Sequence, residues 1–158
     1  MILMKKIKLL ALLIFSLNLA FSSNSIKEIR DLYYKVNLEE TGLNDFENYL
    51  NKTTKISSPE LKGYKAVLWF LKAKDYYNPY KKYEAFNEGK KELELIIKKH
   101  PNNIELHFLR LTIQDHLPGF LGYNGNITED KKFIQEKVNE IKDDPDLVQR
   151  INAYLAQK

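Results

Sequence analysis

Apolar residues recur at intervals of three and four along most of this chain, a spacing that predicts amphipathic α-helices. In the first such segment Ile26, Ile29 and Tyr33 share one face, and Ser25 with Glu28 forms a capping box at its start. The five prolines all lie where the helical pattern breaks, as expected of a residue that lacks an N–H and disfavours helix before it. The pattern therefore predicts seven helices.

Capping residues set the bounds of these predicted helices. Asn44 is the expected N-cap of the second helix, and Asn78-Pro79 is the expected end of the third. Asn126 and Glu129 form a second capping box before the sixth helix. In chain order, the predicted helices cover residues 25–41, 44–54, 59–77, 82–99, 104–117 and 127–142, with a last helix after Pro145.

Two predicted helices lack a polar face, which indicates that neighbouring elements cover them on more than one side. The centre of the third helix, residues 66–71, is apolar all round. The fifth helix carries two apolar stripes, Ile104/Phe108/Leu111 and Leu106/Leu109/Ile113. The side chains predicted to be buried are Leu68, Phe70, Leu109 and Leu111.

Gly89 lies on the apolar stripe of the fourth predicted helix. A glycine inside a helix costs up to about 1 kcal/mol of helix propensity relative to alanine. We therefore predict that Gly89 allows a neighbouring helix to approach closely.

The prolines also indicate a repeat, since Pro59, Pro101 and Pro145 are 42 and 44 residues apart. A period of this length with two helices per unit predicts about three helical hairpins followed by a capping helix. The segment from Gly89 to Asn103 resembles the second helix and exit turn of a tetratricopeptide repeat, with Gly89, Leu93, Ile96 and Pro101 at that family's spacing. The family's first-helix Trp-Leu-Gly-Tyr pattern is not reproduced. The resemblance implies a right-handed, solenoid-like all-α fold.

A second resemblance is spread over the chain between Asn78 and Lys131. The segments that carry it are 78–82, 86–91, 101–103, 108–110, 120–123 and 129–131, and they are similar to small uncharacterised exported proteins of Bacteroidota-type bacteria. That family has no assigned activity. The resemblance therefore implies a fold and export, and it indicates no chemistry.

The segment before the first predicted helix is basic and then apolar. Lys5, Lys6 and Lys8 form a basic n-region, residues 7 to 21 form a mainly apolar run, and Ala20-Phe21-Ser22 has small residues at the positions of a cleavage site. The run is shorter than the about 20 residues that a membrane-spanning helix needs. We therefore predict a signal peptide over residues 1–22, a mature N-terminus between Phe21 and Ser25, and one exported domain over residues 24–158.

Charge and cysteine content narrow the classes of partner. The chain has a net charge of +4, but three of its 25 basic residues and none of its 21 acidic residues lie in the predicted leader, which leaves +1 in the mature domain. No basic stripe remains, so we expect no nucleic-acid partner. The absence of cysteine excludes a lipid-modified cysteine and disulfides, so we expect no stable membrane anchor after cleavage and a fold stabilised by packing alone.

No residue pattern matches a catalytic, metal-binding or cofactor signature, and we expect no cofactor. His107 and His116 are nine residues apart, which places them on opposite sides of one helix and excludes a shared metal. The Gly119–Gly125 segment is expected to be an ordered connection whose glycines take positive φ while Phe120, Leu121 and Tyr123 fill the core. The alternative for this segment is a functional loop.

Aromatic residues are dense between Tyr64 and Phe86. Tyr76, Tyr77 and Tyr80 flank the Asn78-Pro79 break, and with Tyr123 they are candidates for a surface that binds a peptide or glycan. The alternative is that they form the core of the central hairpin.

Arg110, one of three arginines, lies in the two-striped fifth helix. We expect it to form a partly buried ion pair, with an anionic ligand as the alternative partner.

Together these patterns favour an exported, all-α, tetratricopeptide-like module that binds or scaffolds another envelope protein or a peptide without intrinsic catalysis. The physical basis is that stacked hairpins form an extended concave surface. One alternative is an enzyme or enzyme subunit with its site near the Gly119–Gly125 loop and Arg110. Another is a structural envelope protein without a ligand.

Overall fold

The computed structural model describes residues 26–53 and 57–157, and this part of the chain is helical without any strand. The helices are α1 (26–37), α2 (Leu43–Lys52), α3 (Pro59–Asp75), α4 (Pro79–Lys99), α5 (Ile104–His116), α6 (Ile127–Lys137) and α7 (Pro145–Ala156). Short 3₁₀ turns cover Gly119–Leu121 and Val138–Glu140. The all-α prediction is confirmed for these residues. The predicted signal peptide, its cleavage site, Ser25 and Thr54 lie outside them.

Among helices α2 to α7, α3 and α4 form the most extensive pair, and a glycine sets how closely they pack. A Cβ atom at Gly89 would lie 2.9 Å from two ring atoms of Phe70 and 3.0 Å from the carbonyl oxygen of Ala66. The predicted close approach at Gly89 is therefore present. Gly63 has the same role between α3 and α5, where a Cβ atom would lie 2.6 Å from Leu106 Cδ2.

Helix α5 lies between two hydrophobic clusters, as its two apolar stripes predict. Leu106, Leu109 and Ile113 belong to a large cluster built mainly from α1 to α5. Phe108 and Leu111, on the other stripe, belong to a second cluster with α6 and α7. This double burial means that α5 joins the two halves of the core.

Burial is confirmed for Leu68, Leu109 and Leu111, whereas the prediction for Phe70 is wrong. Phe70 is only half-buried because it lies at the rim of the α3–α4 hairpin. Its ring packs edge-on against Phe86 and parallel to Tyr123, with centroid distances of 5.8 and 6.1 Å. The connection between α5 and α6 therefore covers the Phe70 ring mainly with the side chain of Tyr123.

Two predicted boundaries between α3 and α4 are wrong. Helix α3 ends at Asp75, and α4 begins at Pro79 rather than at Lys82. The Asn78 side chain accepts hydrogen bonds from the backbone N–H groups of Tyr80 (2.9 Å) and Lys81 (3.3 Å). Asn78-Pro79 therefore starts a helix, with proline at the position where its missing N–H has no cost.

Three further boundary predictions need correction. Helix α2 starts at Leu43 after Gly42, so Asn44 lies inside its first turn and is not its cap. Asn126 occupies the N-cap position of α6 without capping it, because its amide bonds the side chain of Gln114 instead. Helix α6 ends at Lys137 and continues as a 3₁₀ turn that keeps Val138 buried.

Helices α3, α5 and α7 begin in the same way. The side chains of Ser58, Asn103 and Asp144 accept from the N–H three residues later, at distances of 3.1, 3.1 and 2.9 Å. The donors are Leu61, Leu106 and Leu147, and all three leucine side chains are buried. Each helix thus starts with one capping bond and one leucine anchored in a cluster.

Helix α1 packs against elements that are distant along the chain. The ring of Tyr33 contacts Phe46 of α2 and Tyr64 of α3, with centroids 6.2 and 5.7 Å apart. The guanidinium of Arg150 in α7 lies 4.4 Å from the ring centroid of Tyr34. In the part of the chain that the structure describes, no helix is long and apolar enough to cross a membrane.

Candidate functional site

Three exposed tyrosines, which we call the tyrosine edge, surround the turn between α3 and α4. Tyr77 is fully exposed, and Tyr80 and Tyr83 are 70% and 60% exposed to solvent. The sequence analysis selected Tyr77 and Tyr80 for this surface but did not select Tyr83. Tyr76, the other predicted member, is half-buried and packs against the larger cluster.

Local backbone chemistry holds the tyrosine edge in place. The Asn78 cap and Pro79 fix the start of α4. Tyr80 and Tyr83 are three residues apart in this helix, so their side chains share one helix face. Tyr77 lies in the short connection, where no helix covers it. A phenol ring offers an apolar face and one hydroxyl, so these side chains can stack on a partner and bond to it.

Unpaired lysines flank the tyrosine edge. Lys74, Lys81 and Lys82 are exposed, and among the described residues no carboxylate lies within 4.0 Å of their ammonium groups. Lys74 also lines a groove of about 510 Å³ between α3 and the α1–α2 connection. Val36 and Leu71 form part of its wall. The turn thus combines aromatic rings and exposed lysines with an adjoining groove, whose wall also carries Glu39, Glu40 and Asp75.

Tyr123 does not join this edge: it fills the core, as expected for the Gly119–Gly125 connection, and its assignment to the binding surface is wrong. It is buried, stacks on Phe70, and packs edge-on against Phe86 at a centroid distance of 6.2 Å. Its hydroxyl donates to Glu94 at 2.6 Å, and Lys90 lies 5.1 Å from its ring centroid. Burial, followed by the bond to Glu94, raises its pKa well above the ordinary range.

Arg110 forms the buried ion pair predicted for it. Its Nε and Nη2 donate to the two oxygens of Asp130, both at 2.7 Å, and its Nη1 donates to Glu94 at 2.8 Å. Burial raises the pKa of the Asp130 carboxyl, but the hydrogen bonds from Arg110 and His107 outweigh this effect. The pKa of Asp130 therefore lies below its ordinary value. Two carboxylates of the chain itself therefore occupy the guanidinium that an anionic ligand would need.

The histidines are separated as predicted. His107 is buried, with Nδ1 2.6 Å from Asp130 Oδ1 and Nε2 2.9 Å from the carbonyl oxygen of Pro101. His116 is exposed, and its Nδ1 lies 2.7 Å from the carbonyl oxygen of Thr112. Within residues 26–53 and 57–157, no group of three potential metal ligands is close enough to hold an ion.

The Gly119–Gly125 segment matches the expected ordered connection only in part. Gly122, at φ 62°, is the only glycine with positive φ among those described, so the expectation fails for the other two. Leu121 packs against the larger cluster, but Phe120 keeps 88% of its surface exposed and does not fill the core. The 3₁₀ turn that starts at Gly119 directs Phe120 away from the protein.

Sequence reasoning missed the most extensive polar cluster, which is centred on Arg30 of α1. Arg30 is 1% exposed, and its five N–H groups bond Glu105 (two bonds of 2.9 Å), Asp144 (2.8 and 3.3 Å) and Asp146 (2.6 Å). Glu105 also accepts from the hydroxyl of Tyr64 at 2.8 Å. The available signal was an arginine directly after Ile29, at the edge of the apolar stripe of α1.

Burial raises the pKa of the Glu105 carboxyl, while the bonds from Arg30 and Tyr64 oppose this shift. Every buried side-chain nitrogen and oxygen in the described part of the chain has a hydrogen-bond partner. The buried charges are thus paired with one another, as structural charges usually are.

The chain matches no known family model, and no curated protein or solved structure shows significant similarity to it.

Proposed function

We propose that this protein is an exported, tetratricopeptide-like helical-repeat module that binds a peptide or another envelope protein through its tyrosine edge and has no intrinsic catalysis. In this proposal residues 1–22 are a cleaved leader, and the mature domain of residues 24–158 acts in the periplasm or outside the cell. The observation that carries the binding role is the exposure of Tyr77, Tyr80 and Tyr83 around one rigid turn.

The equivalent starts of α3, α5 and α7 support the repeat. Contacts between α3 and α5 run in parallel, since Tyr64 bonds Glu105 41 residues away, and Glu60–Asn103 and Gly63–Leu106 are both 43 residues apart. These offsets are close to the 42 residues between Pro59 and Pro101. Offsets near the period are expected where successive hairpins stack in parallel.

The tyrosine edge has the composition of a protein interface. Tyrosine is enriched at interfaces because it buries a large rigid area with little loss of conformational freedom. The three rings are not needed for the core, since most of their surface is open to solvent. The unpaired Lys81 and Lys82 favour a partner that carries negative charge beside an aromatic or apolar group.

The enzyme alternative has no comparable support. It requires a reactive group near the Gly119–Gly125 loop and Arg110, yet Asp130 and Glu94 already bind that guanidinium. Phe120, the most exposed side chain named in that loop, carries no titratable group.

Site-specific photocrosslinking in the intact cell envelope tests the binding role. A photoreactive phenylalanine analogue replaces Tyr77 or Tyr80, and the matched control replaces Lys132, an exposed residue of α6. We expect one adduct of the same mass from both tyrosine positions and none from the control.

The companion test separates surface from core. Tyr77→Ala with the photoreactive residue at position 80, and Tyr80→Ala with it at position 77, should unfold within about 0.5 kcal/mol of wild type, as variants of exposed residues do, while adduct formation is lost. Equal partner capture by both variants together with a loss of thermal stability would remove the basis of the proposal.

A further inference from the structure

The connection between α5 and α6 contains Asn124-Gly125, the only Asn-Gly pair in the chain. Both residues are exposed to solvent. Within the part of the chain that the structure describes, no hydrogen bond engages the side-chain amide of Asn124 or the backbone N–H of Gly125. A Cβ atom at Gly125 would meet nothing within 4 Å, so no neighbouring group crowds this residue.

An asparagine in this setting can react with its own backbone. The backbone nitrogen of Gly125, after losing its proton to water, forms a bond to the Cγ atom of Asn124. The Cγ–Nδ2 bond breaks, ammonia leaves with a proton from solvent, and a five-membered cyclic imide remains. Water then opens the imide at Cγ to give aspartate, or at the main-chain carbonyl carbon to give isoaspartate. The reaction needs no oxidant or reductant, and it adds one negative charge.

A glycine after the asparagine favours this reaction. Its nitrogen is not shielded by a Cβ atom, and its backbone reaches conformations that other residues avoid. Asn102 provides the contrast, because it is also exposed but precedes a residue with a Cβ atom. That residue, Asn103, also uses its backbone N–H to donate to the carbonyl oxygen of His100 at 3.1 Å. We therefore expect Asn124 to react and Asn102 to remain unchanged.

The residues on both sides of the pair are held in place. The ring of Tyr123 is buried and stacks on Phe70. The backbone N–H of Asn126 donates to Oε1 of Gln114 at 3.2 Å, and Gln114 is 1% exposed. In isoaspartate the main chain runs through Cβ and Cγ, which makes it one atom longer. The connection must therefore rearrange at one of its two held ends.

The start of α6 is the more firmly held end. The carbonyl oxygen of Asn126 accepts from the N–H of Asp130 at 2.8 Å, and the Asp130 carboxylate binds Arg110 through two bonds of 2.7 Å. Tyr123, by contrast, follows Gly122, which is exposed and has nothing near its Cβ position. The longer main chain is therefore accommodated by movement of Tyr123.

We propose that Asn124-Gly125 is a site of spontaneous covalent modification, at which Asn124 cyclises and hydrolyses to aspartate and isoaspartate, and that the isoaspartate form moves the Tyr123 ring away from Phe70. The site does not involve the tyrosine edge. Its test is therefore independent of the proposed binding role.

Ageing of the folded full chain tests the reaction. The protein is incubated at mildly alkaline pH below its unfolding transition, and its peptides are mapped by mass spectrometry, with an isoaspartate-specific methyltransferase to distinguish the two products. We expect both products at Asn124 and none at Asn102. Gly125→Ala is the matched variant, because the added Cβ meets no neighbour and the φ of Gly125 is not positive. It should stay folded and be converted far more slowly.

A second measurement follows the movement of Tyr123. The isoaspartate form is separated chromatographically and compared with Asn124→Asp, which has the same charge on a main chain of normal length. Asn124→Asp should melt with wild type because residue 124 is exposed. The isoaspartate form should melt roughly 3–5 °C lower, because Tyr123 loses its aromatic contacts. The NMR signals of the Phe70 ring should shift in the isoaspartate form alone.

No product at Asn124 in the folded wild type, with conversion only in the urea-unfolded chain, would overturn the proposal, because the folded connection would then prevent imide formation. Conversion of Gly125→Ala at the wild-type rate would also overturn it. An isoaspartate form with the wild-type melting temperature and unshifted Phe70 signals would refute the movement of Tyr123.

Discussion

We predict that Gly89→Ala destabilises the protein, although alanine is the better helix former. The added Cβ would lie 2.9 Å from two ring atoms of Phe70 and 3.0 Å from the Ala66 carbonyl oxygen. The ring is at the rim and can shift, but the carbonyl belongs to the backbone of α3, so α3 and α4 must move apart. Overpacking costs about 1–3 kcal/mol, against a gain of up to about 1 kcal/mol in propensity. The expected net loss is about 1 kcal/mol.

Thermal unfolding followed by far-UV circular dichroism measures this loss. For a domain of this size, 1 kcal/mol lowers the melting temperature by roughly 3–5 °C. Gly119→Ala is the matched control, because a Cβ there meets nothing within 4 Å and its φ is not positive. That variant should melt at or slightly above the wild-type temperature. The argument is refuted if Gly89→Ala melts as high as wild type, because the glycine would then not set the helix spacing.

Three further predictions concern stability and processing. Leu109→Ala should cost about 2–5 kcal/mol of unfolding free energy, measured by urea titration, and a wild-type midpoint would contradict its place in the core. The pKa of Asp130 lies below its ordinary value of 3.8, so its stabilising contribution is present above that value and is lost as pH falls through the lower folded-state pKa. The melting temperature of Asp130→Asn should therefore depend less on pH between about pH 4.5 and 2.5 than that of wild type. Mass spectrometry of the exported protein should place its N-terminus between Phe21 and Ser25, and an intact Met1 in the membrane fraction would contradict the leader.

The sequence was most informative where a pattern repeats over several turns. Two apolar stripes on α5 predicted two neighbours, and Leu109 and Leu111 lie in two different clusters. Gly89 was predictable for the same reason, since a glycine on a buried stripe needs a packing explanation. Periodicity and volume are properties that a single sequence displays directly.

Single polar residues were harder to place, because their partners are distant in sequence. Asn78-Pro79 fits both the end of one helix and the start of the next, and only the direction of the Asn78 side chain decides between them. Arg30 lies in a charged segment between Lys27 and Asp31, and the one local sign of its burial is its place directly after Ile29 at the edge of the apolar stripe. Phe120 was misplaced because hydrophobicity alone does not tell on which side of a turn a ring lies.

Arg30 also bears on the proposed stack of hairpins. In such stacks each unit contacts mainly its neighbours, so unfolding can begin at one end while the other end stays folded. Here the guanidinium of Arg30 in α1 contacts the starts of both α5 and α7, and Arg150 of α7 pairs with Asp31 beside it, so the first described helix is joined to the last. In a chain without cysteine, this contact connects distant segments as a disulfide would, and it remains reversible.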